Sequence, residues 1–148
     1  MRLWGHPIHP MLVHFPVVFW TVAAVAYVAA ATGVEAAATV ATFSNGAGLI
    51  FAMLAMIAGL IELRAIAGDG DAMRVAISHM TAMGAAWFCF MLALVITIST
   101  GANLDKQVAQ LAGVAGASGG FLLMSVGGWL GGRLVYEFGV GVAAREKT

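Results

Sequence analysis

Histidines are the residues of this chain best suited to chemistry. His6, His9 and His14 fall in the opening WGHPIHPMLVHFP, and His79 stands near the start of a later apolar run. Imidazole ligates iron, copper, nickel and zinc, and an ionisable side chain within a bilayer marks a functional site by default. His14 and His79 each sit about one turn inside an expected helix, roughly 6 Å below its start. Two imidazoles at matching depth on different helices of one bundle can supply both axial ligands of a b-type haem, so His14 and His79 are the expected ligands.

Other residues expected at the same end complete the constellation. Arg64 and Arg133 suit the two propionates of a haem, which guanidinium groups bind bidentately. Glu62 can accept protons or join a metal site, because burial raises a carboxyl pKa towards the range useful for proton transfer. Its plainer role is to end a helix while paired with Arg64, Arg74 or Arg133. His6 and His9 lie in HPIHP, where each proline disfavours the helical conformation in the residue before it. They are therefore expected in an extended or turned segment, as extra metal ligands, as a lid over the bundle mouth, or as headgroup anchors.

The elements that position these residues follow from composition. Of 148 residues, 61% are hydrophobic and 9% charged, and mean hydropathy is +0.95. A soluble domain carries about 25% charged residues, so the chain reads as integral to a membrane. Net charge near zero argues against a nucleic-acid partner. The lone cysteine, Cys89, excludes an internal disulfide.

A spanning helix takes ~20 apolar residues. Four runs qualify: Met11 to Thr32, Phe43 to Ile66 with Ser44 or Asn45 as cap, Val75 to Thr100, and Val108 or Gly116 to Tyr136. The first exceeds the ~7–15 residues of a signal-peptide core and is expected to be retained. Short connections force antiparallel neighbours. The expectation is one domain over residues 1–148, an all-α up-down four-helix bundle with both termini on one side and no internal repeat. Arg2, Arg64, Arg74, Arg133, Arg145 and Lys147 share that side, against Lys106 alone on the other. The positive-inside bias makes the first side cytoplasmic.

Small residues mark the packing faces. Gly48, Ala52, Ala55, Gly59 and Glu62 form one seam on the second helix, and Gly116/Gly120, Gly127/Gly131 and Gly128/Gly132 form GxxxG pairs on the fourth. Small residues let membrane helices approach closely, within one bundle or between copies, and they also permit a flat cofactor against a glycine face. Trp4, Trp20, Trp87 and Trp129 read as interfacial or packing aromatics. The nine methionines are dispersed, as core filling rather than a copper relay. GDGDAMR lacks a full calcium-loop pattern, so Asp69 and Asp71 read as a turn and a helix cap. No nucleotide loop, CxxC or CxxCH pattern occurs.

The opening GHPIHPMLVHFP, the run ending AGLIELRAI, the third helix led by His79 and the closing GGWLGGRLVYEFGVGV resemble the bacterial membrane family called domain of unknown function 2231. The likeness covers nearly the whole chain and implies four spanning helices. Relatives joined to Rieske iron–sulfur or cytochrome-like modules imply, by association, redox work in the membrane. Relatives often carry a histidine before GVGV, where this chain has Phe138; a site needing that histidine is lost here.

Taken together, these features lead to the expectation of an inner-membrane redox protein of bacteria that holds haem b and exchanges electrons with a quinone or a partner redox protein. The alternatives are a copper- or zinc-binding or transport protein using His6, His9, His14 and Glu62, and a non-catalytic subunit of a larger respiratory or photosynthetic complex. The glycine seams would serve the latter, or a homo-oligomer.

Overall fold

The computed structural model describes residues 2–3, 6–64, 66, 70–99 and 105–142. A two-residue antiparallel bridge, β1 (Arg2–Leu3) with β2 (His6–Pro7), precedes α1 (Ile8–Leu12) and α2 (His14–Ala31). Three long helices follow: α3 (Glu35–Leu63), α4 (Asp71–Ile98) and α5 (Lys106–Tyr136). With α1 and α2 taken as one span, four helices among the described residues are long and apolar enough to cross a membrane.

The distribution of side chains is that of a protein whose solvent is lipid. The buried core is dominated by alanine and glycine, with Trp20 and Phe90 the largest of the fully buried side chains. Larger apolar groups such as Val25, Phe43, Ile50, Leu111 and Leu122 point outward. Lipid offers no hydrophobic reward for burying leucine, so close backbone approach drives the association. The tightest packing is α2 on α3 and α4 on α5; α2 also meets α5, and α3 meets α4.

Element boundaries depart from the expected ones; the third span, for example, begins at Asp71, four residues before Val75. His9 lies within α1 rather than in an extended segment; its carbonyl accepts from Val13 N–H. A tertiary hydrogen bond from the His9 ring, described below, offsets the local penalty of Pro10. The break between α1 and α2 falls at Val13. Pro16 has no N–H to donate to the Leu12 carbonyl four residues back, which weakens the ladder there.

The second span begins at Glu35, eight residues before Phe43, and Ser44 and Asn45 are buried within it rather than capping it. Asn45 needs no cap position, because its Nδ2 donates to Tyr27 Oη at 3.1 Å and to Phe90 O at 2.9 Å. Glu35 in the first turn complements the helix dipole. The fourth span begins at Lys106, capped by Asp105 Oδ1, which accepts from the N–H groups of Gln107 and Val108. Its glycine-rich start is helical because those glycines are contact points. A Cβ at Gly116 would lie 3.0 Å from Ala93 Cβ, and one at Gly120 would lie 2.7 Å from Phe90 Cδ2. Close packing there outweighs the ~1 kcal/mol glycine penalty.

Candidate functional site

The imidazoles that meet are those of His9 and His79. Their ring centroids are 6.3 Å apart and their planes cross at 89°. His9 Nδ1 lies 2.7 Å from the carbonyl oxygen of Ala55 on α3, and His79 Nδ1 lies 2.7 Å from that of Gly127 on α5. A carbonyl only accepts, so Nδ1 is the donor in each of these bonds, and in the neutral form of either ring the lone pair then lies on Nε2. This is the arrangement in which metal-binding histidines are usually held: one ring nitrogen donates to a carbonyl, which fixes tautomer and orientation and raises the basicity of the other.

Glycines make both bonds reachable. In a helix the carbonyl of residue i faces the residue at i+4. The residue four beyond Ala55 is Gly59, and the residue four beyond Gly127 is Gly131. A Cβ at Gly59 would lie 3.1 Å from His9 Nδ1 and Cε1, and a Cβ at Gly131 would lie 3.2 Å from His79 Cε1. Each ring therefore rests on a glycine and reaches the carbonyl one turn back. Both histidines are half-buried.

His14 does not join this pair. It is the first residue of α2 and is exposed, so the expected meeting of His14 with His79 is replaced by that of His9 with His79. The short helix α1 carries His9 across to α3, a placement the HPIHP motif did not suggest. The signal that could have found it was the spacing of Ala55 to Gly59, repeated as Gly127 to Gly131. The side chain of His6 lies outside the described residues.

The remaining predicted site residues surround the same mouth. Glu62 is half-buried on α3, about one turn beyond Gly59. Arg64 is exposed just past the end of α3. Arg133 is committed elsewhere: its Nε and Nη2 donate to Glu137 at 2.8–3.0 Å, and its guanidinium lies 5.3 Å from the ring centre of Trp129. Those donated bonds hold the Glu137 carboxyl below its ordinary range. Asp71 is the first residue of α4 and not its cap, a position Gly70 takes without a side-chain bond; Asp71 pairs with Arg74 at 3.3 Å, while Asp69 lies outside the described residues. Phe138 is exposed in the turn that ends α5, where Gly139 takes a left-handed conformation (φ 65°).

Among the described residues, no three histidine, cysteine, aspartate or glutamate side chains gather as a metal cluster. The donor set on view is the pair of imidazoles. Two nitrogens complete the coordination of an iron already held by a tetrapyrrole, whereas zinc usually takes four protein ligands at a structural site. Two imidazoles fall short of the four protein ligands of a structural zinc site.

Four apolar spans with two oriented imidazoles at one mouth define a polytopic membrane protein with a histidine-paired site. Residues 5–144 match the family described as predicted membrane protein DUF2231, and the chain belongs to that family. No curated protein and no solved structure matches it.

Proposed function

We propose that this protein is a redox component of the bacterial inner membrane, holding one b-type haem between His9 and His79 at the cytoplasmic mouth of the bundle. The observation behind this reading is the pair of rings 6.3 Å apart, each with Nδ1–H tied to a helix carbonyl. Two imidazoles on one metal, at bonds of ~2.0–2.1 Å, have centroids roughly 5–6.5 Å apart depending on the angle at the metal. His79 keeps the ligand role expected of it, and His9 takes the place of His14.

A haem, when bound, supplies one-electron redox chemistry. The chain's own residues do the rest. The carbonyls of Ala55 and Gly127 hold the rings in orientation. Arg64 is a basic group, among the described residues, available to a propionate, since Arg133 serves Glu137. Glu62, about one turn beyond the His9 seat, adds a carboxyl group at the mouth. A quinone or a partner redox protein would exchange electrons there. The excess of arginine and lysine at this end supports its cytoplasmic placement.

A copper ion is the second reading, because the same separation suits two imidazoles on opposite sides of one metal ion. Purified protein should show a Soret band and visible bands that sharpen on reduction. These should vanish in His9→Ala and in His79→Ala but persist in His14→Ala. Copper without porphyrin in elemental analysis selects the second reading. A colourless protein that takes up neither added haem nor copper sinks both and leaves a non-catalytic subunit. Gly128 and Gly132, open on the outside of α5, would then be its natural contact face.

A further inference from the structure

The sequence suggested no internal repeat, yet the burial pattern of the first hairpin recurs in the second. A constant step of 70 residues takes His9 to His79, Pro16 to Ala86, Trp20 to Phe90, Ala23 to Ala93 and Tyr27 to Thr97. A step of 72 takes α3 onto α5: Ala41 to Gly113, Asn45 to Ala117, Gly48 to Gly120, Ala55 to Gly127 and Gly59 to Gly131. The members of these pairs share their environment. Pro16, Trp20 and Ala23 are buried on α2, as are Ala86, Phe90 and Ala93 on α4. Ala41, Asn45, Gly48 and Ala55 are buried on α3, as are Gly113, Ala117, Gly120 and Gly127 on α5. The change of step falls in the connection within each hairpin, which is longer between α4 and α5 than between α2 and α3.

The two hairpins run in the same direction, so the rotation relating them lies along the bundle, as in parallel repeats about the membrane normal. Residues near such an axis meet their own counterparts, and they do. Trp20 stacks on Phe90, and His9 meets His79. At the far end, one recess is lined by Tyr27 with Thr97 and by Ala38 with Gln110, two further equivalent pairs. The half-sites also agree in detail. Each ring sits on a glycine and donates Nδ1–H to the carbonyl four residues before it.

We propose that the chain is one helical hairpin used twice, and that His9 and His79 are a single ligand position repeated, converging on one ligand at the pseudo-twofold axis. The chemical class is one transition-metal ion, or one metal-centred planar ring, that takes an imidazole on each side. The ligand half of this inference rests on the metal reading above; the packing half does not. Charge breaks the symmetry. Glu62 on α3 corresponds to Leu134 on α5, and Arg133 corresponds to Ile61. The two sides of the ligand therefore differ in their charged surroundings and not in their ligating atoms.

Two measurements on the full chain test this. In the first, detergent-solubilised protein is titrated with ferric protoporphyrin IX and, separately, with copper ions. Saturation at one equivalent per chain is expected, with His9→Ala and His79→Ala each weakening binding at least tenfold and within about threefold of one another. Two equivalents per chain, or a loss confined to one variant, overturns the shared position. Binding of neither probe by the wild type removes the metal reading and the ligand half with it.

The second measurement needs no ligand. The exchange variant Trp20→Phe/Phe90→Trp keeps the same pair of rings and places each against a glycine. It should melt closer to wild type than either single substitution. An exchange variant no more stable than the worse single one overturns the twofold, even in a protein that binds haem. A near-native exchange variant that binds neither probe keeps the twofold and ends the metal reading.

Discussion

Trp20 and Phe90 lie flat against each other in the interior of the bundle, ring centroids 4.6 Å apart and planes 8° from parallel. Both are fully buried. Each is accommodated by a glycine on the partner helix of its own hairpin: a Cβ at Gly48 would lie 2.5 Å from Trp20 Cδ1, and one at Gly120 would lie 2.7 Å from Phe90 Cδ2. The large rings and the glycines are one device, since neither fits without the other.

Gly48→Ala and Gly120→Ala should therefore each destabilise the protein by about 1–3 kcal/mol, the usual penalty of overpacking. Gly84 on α4 has open space where a Cβ would go, so Gly84→Ala should be neutral or stabilising by up to about 1 kcal/mol through helix propensity. Thermal unfolding in detergent reads all three. An unchanged melting temperature in Gly48→Ala would contradict the packing described.

Asn45 ties three helices together through its bonds to Tyr27 on α2 and Phe90 on α4. Asn45→Ala should lower stability by roughly 1–2 kcal/mol, at the upper end for side-chain hydrogen bonds within membranes. Tyr27→Phe, which removes only the hydroxyl, should have a smaller effect. A double-mutant cycle between the two measures their coupling, and strict additivity would mean that the bond contributes nothing.

The glycine seats of the histidines make a spectroscopic prediction. Nitrogen-15 imidazole NMR of the metal-free protein should show both His9 and His79 protonated at Nδ1, with His14 behaving as an exposed ring. Gly59→Ala should disturb only the His9 signal and Gly131→Ala only that of His79. Gly132→Ala, at a site with open space, should disturb neither. Rings that carry no proton on Nδ1 in the wild type would contradict the carbonyl bonds.

The Arg133–Glu137 pair gives a pH dependence of definite sign. Hydrogen bonds from Arg133 hold the Glu137 carboxyl below its ordinary value of 4.5. The pair's contribution is thus complete above pH 4.5 and is lost as pH falls through the lowered folded-state value. The pair is largely solvent-exposed, so its effect on overall stability is small. Trp129, over which the guanidinium lies, reports it locally. Its fluorescence, isolated by comparison with Trp129→Phe, should change only below pH 4.5 and not at all in Glu137→Gln. A transition at or above that pH would remove the inferred shift.

Spans, their antiparallel order and the end at which the histidines gather were legible in composition and spacing. Exclusion of charge over ~20 residues is a one-dimensional requirement imposed by the bilayer's thickness, and it needs no knowledge of neighbours. The seam of Gly48, Ala52, Ala55 and Gly59 was legible for a similar reason, since small residues at helical spacing mark a packed face. What those residues pack against was not. Asn45 looked like a helix cap because a polar side chain in an apolar run has no local partner, and its partners lie 18 and 45 residues away. His9 looked extended because proline governs its neighbour locally, whereas a bond to a carbonyl 46 residues distant overrode that preference. Matching depth favoured His14 over His9 as the partner of His79. Depth follows from residue number, but the direction in which a ring points depends on how each helix is rotated about its axis. That rotation is set by contacts between helices, here the glycines under each ring and the stacked pair between the hairpins.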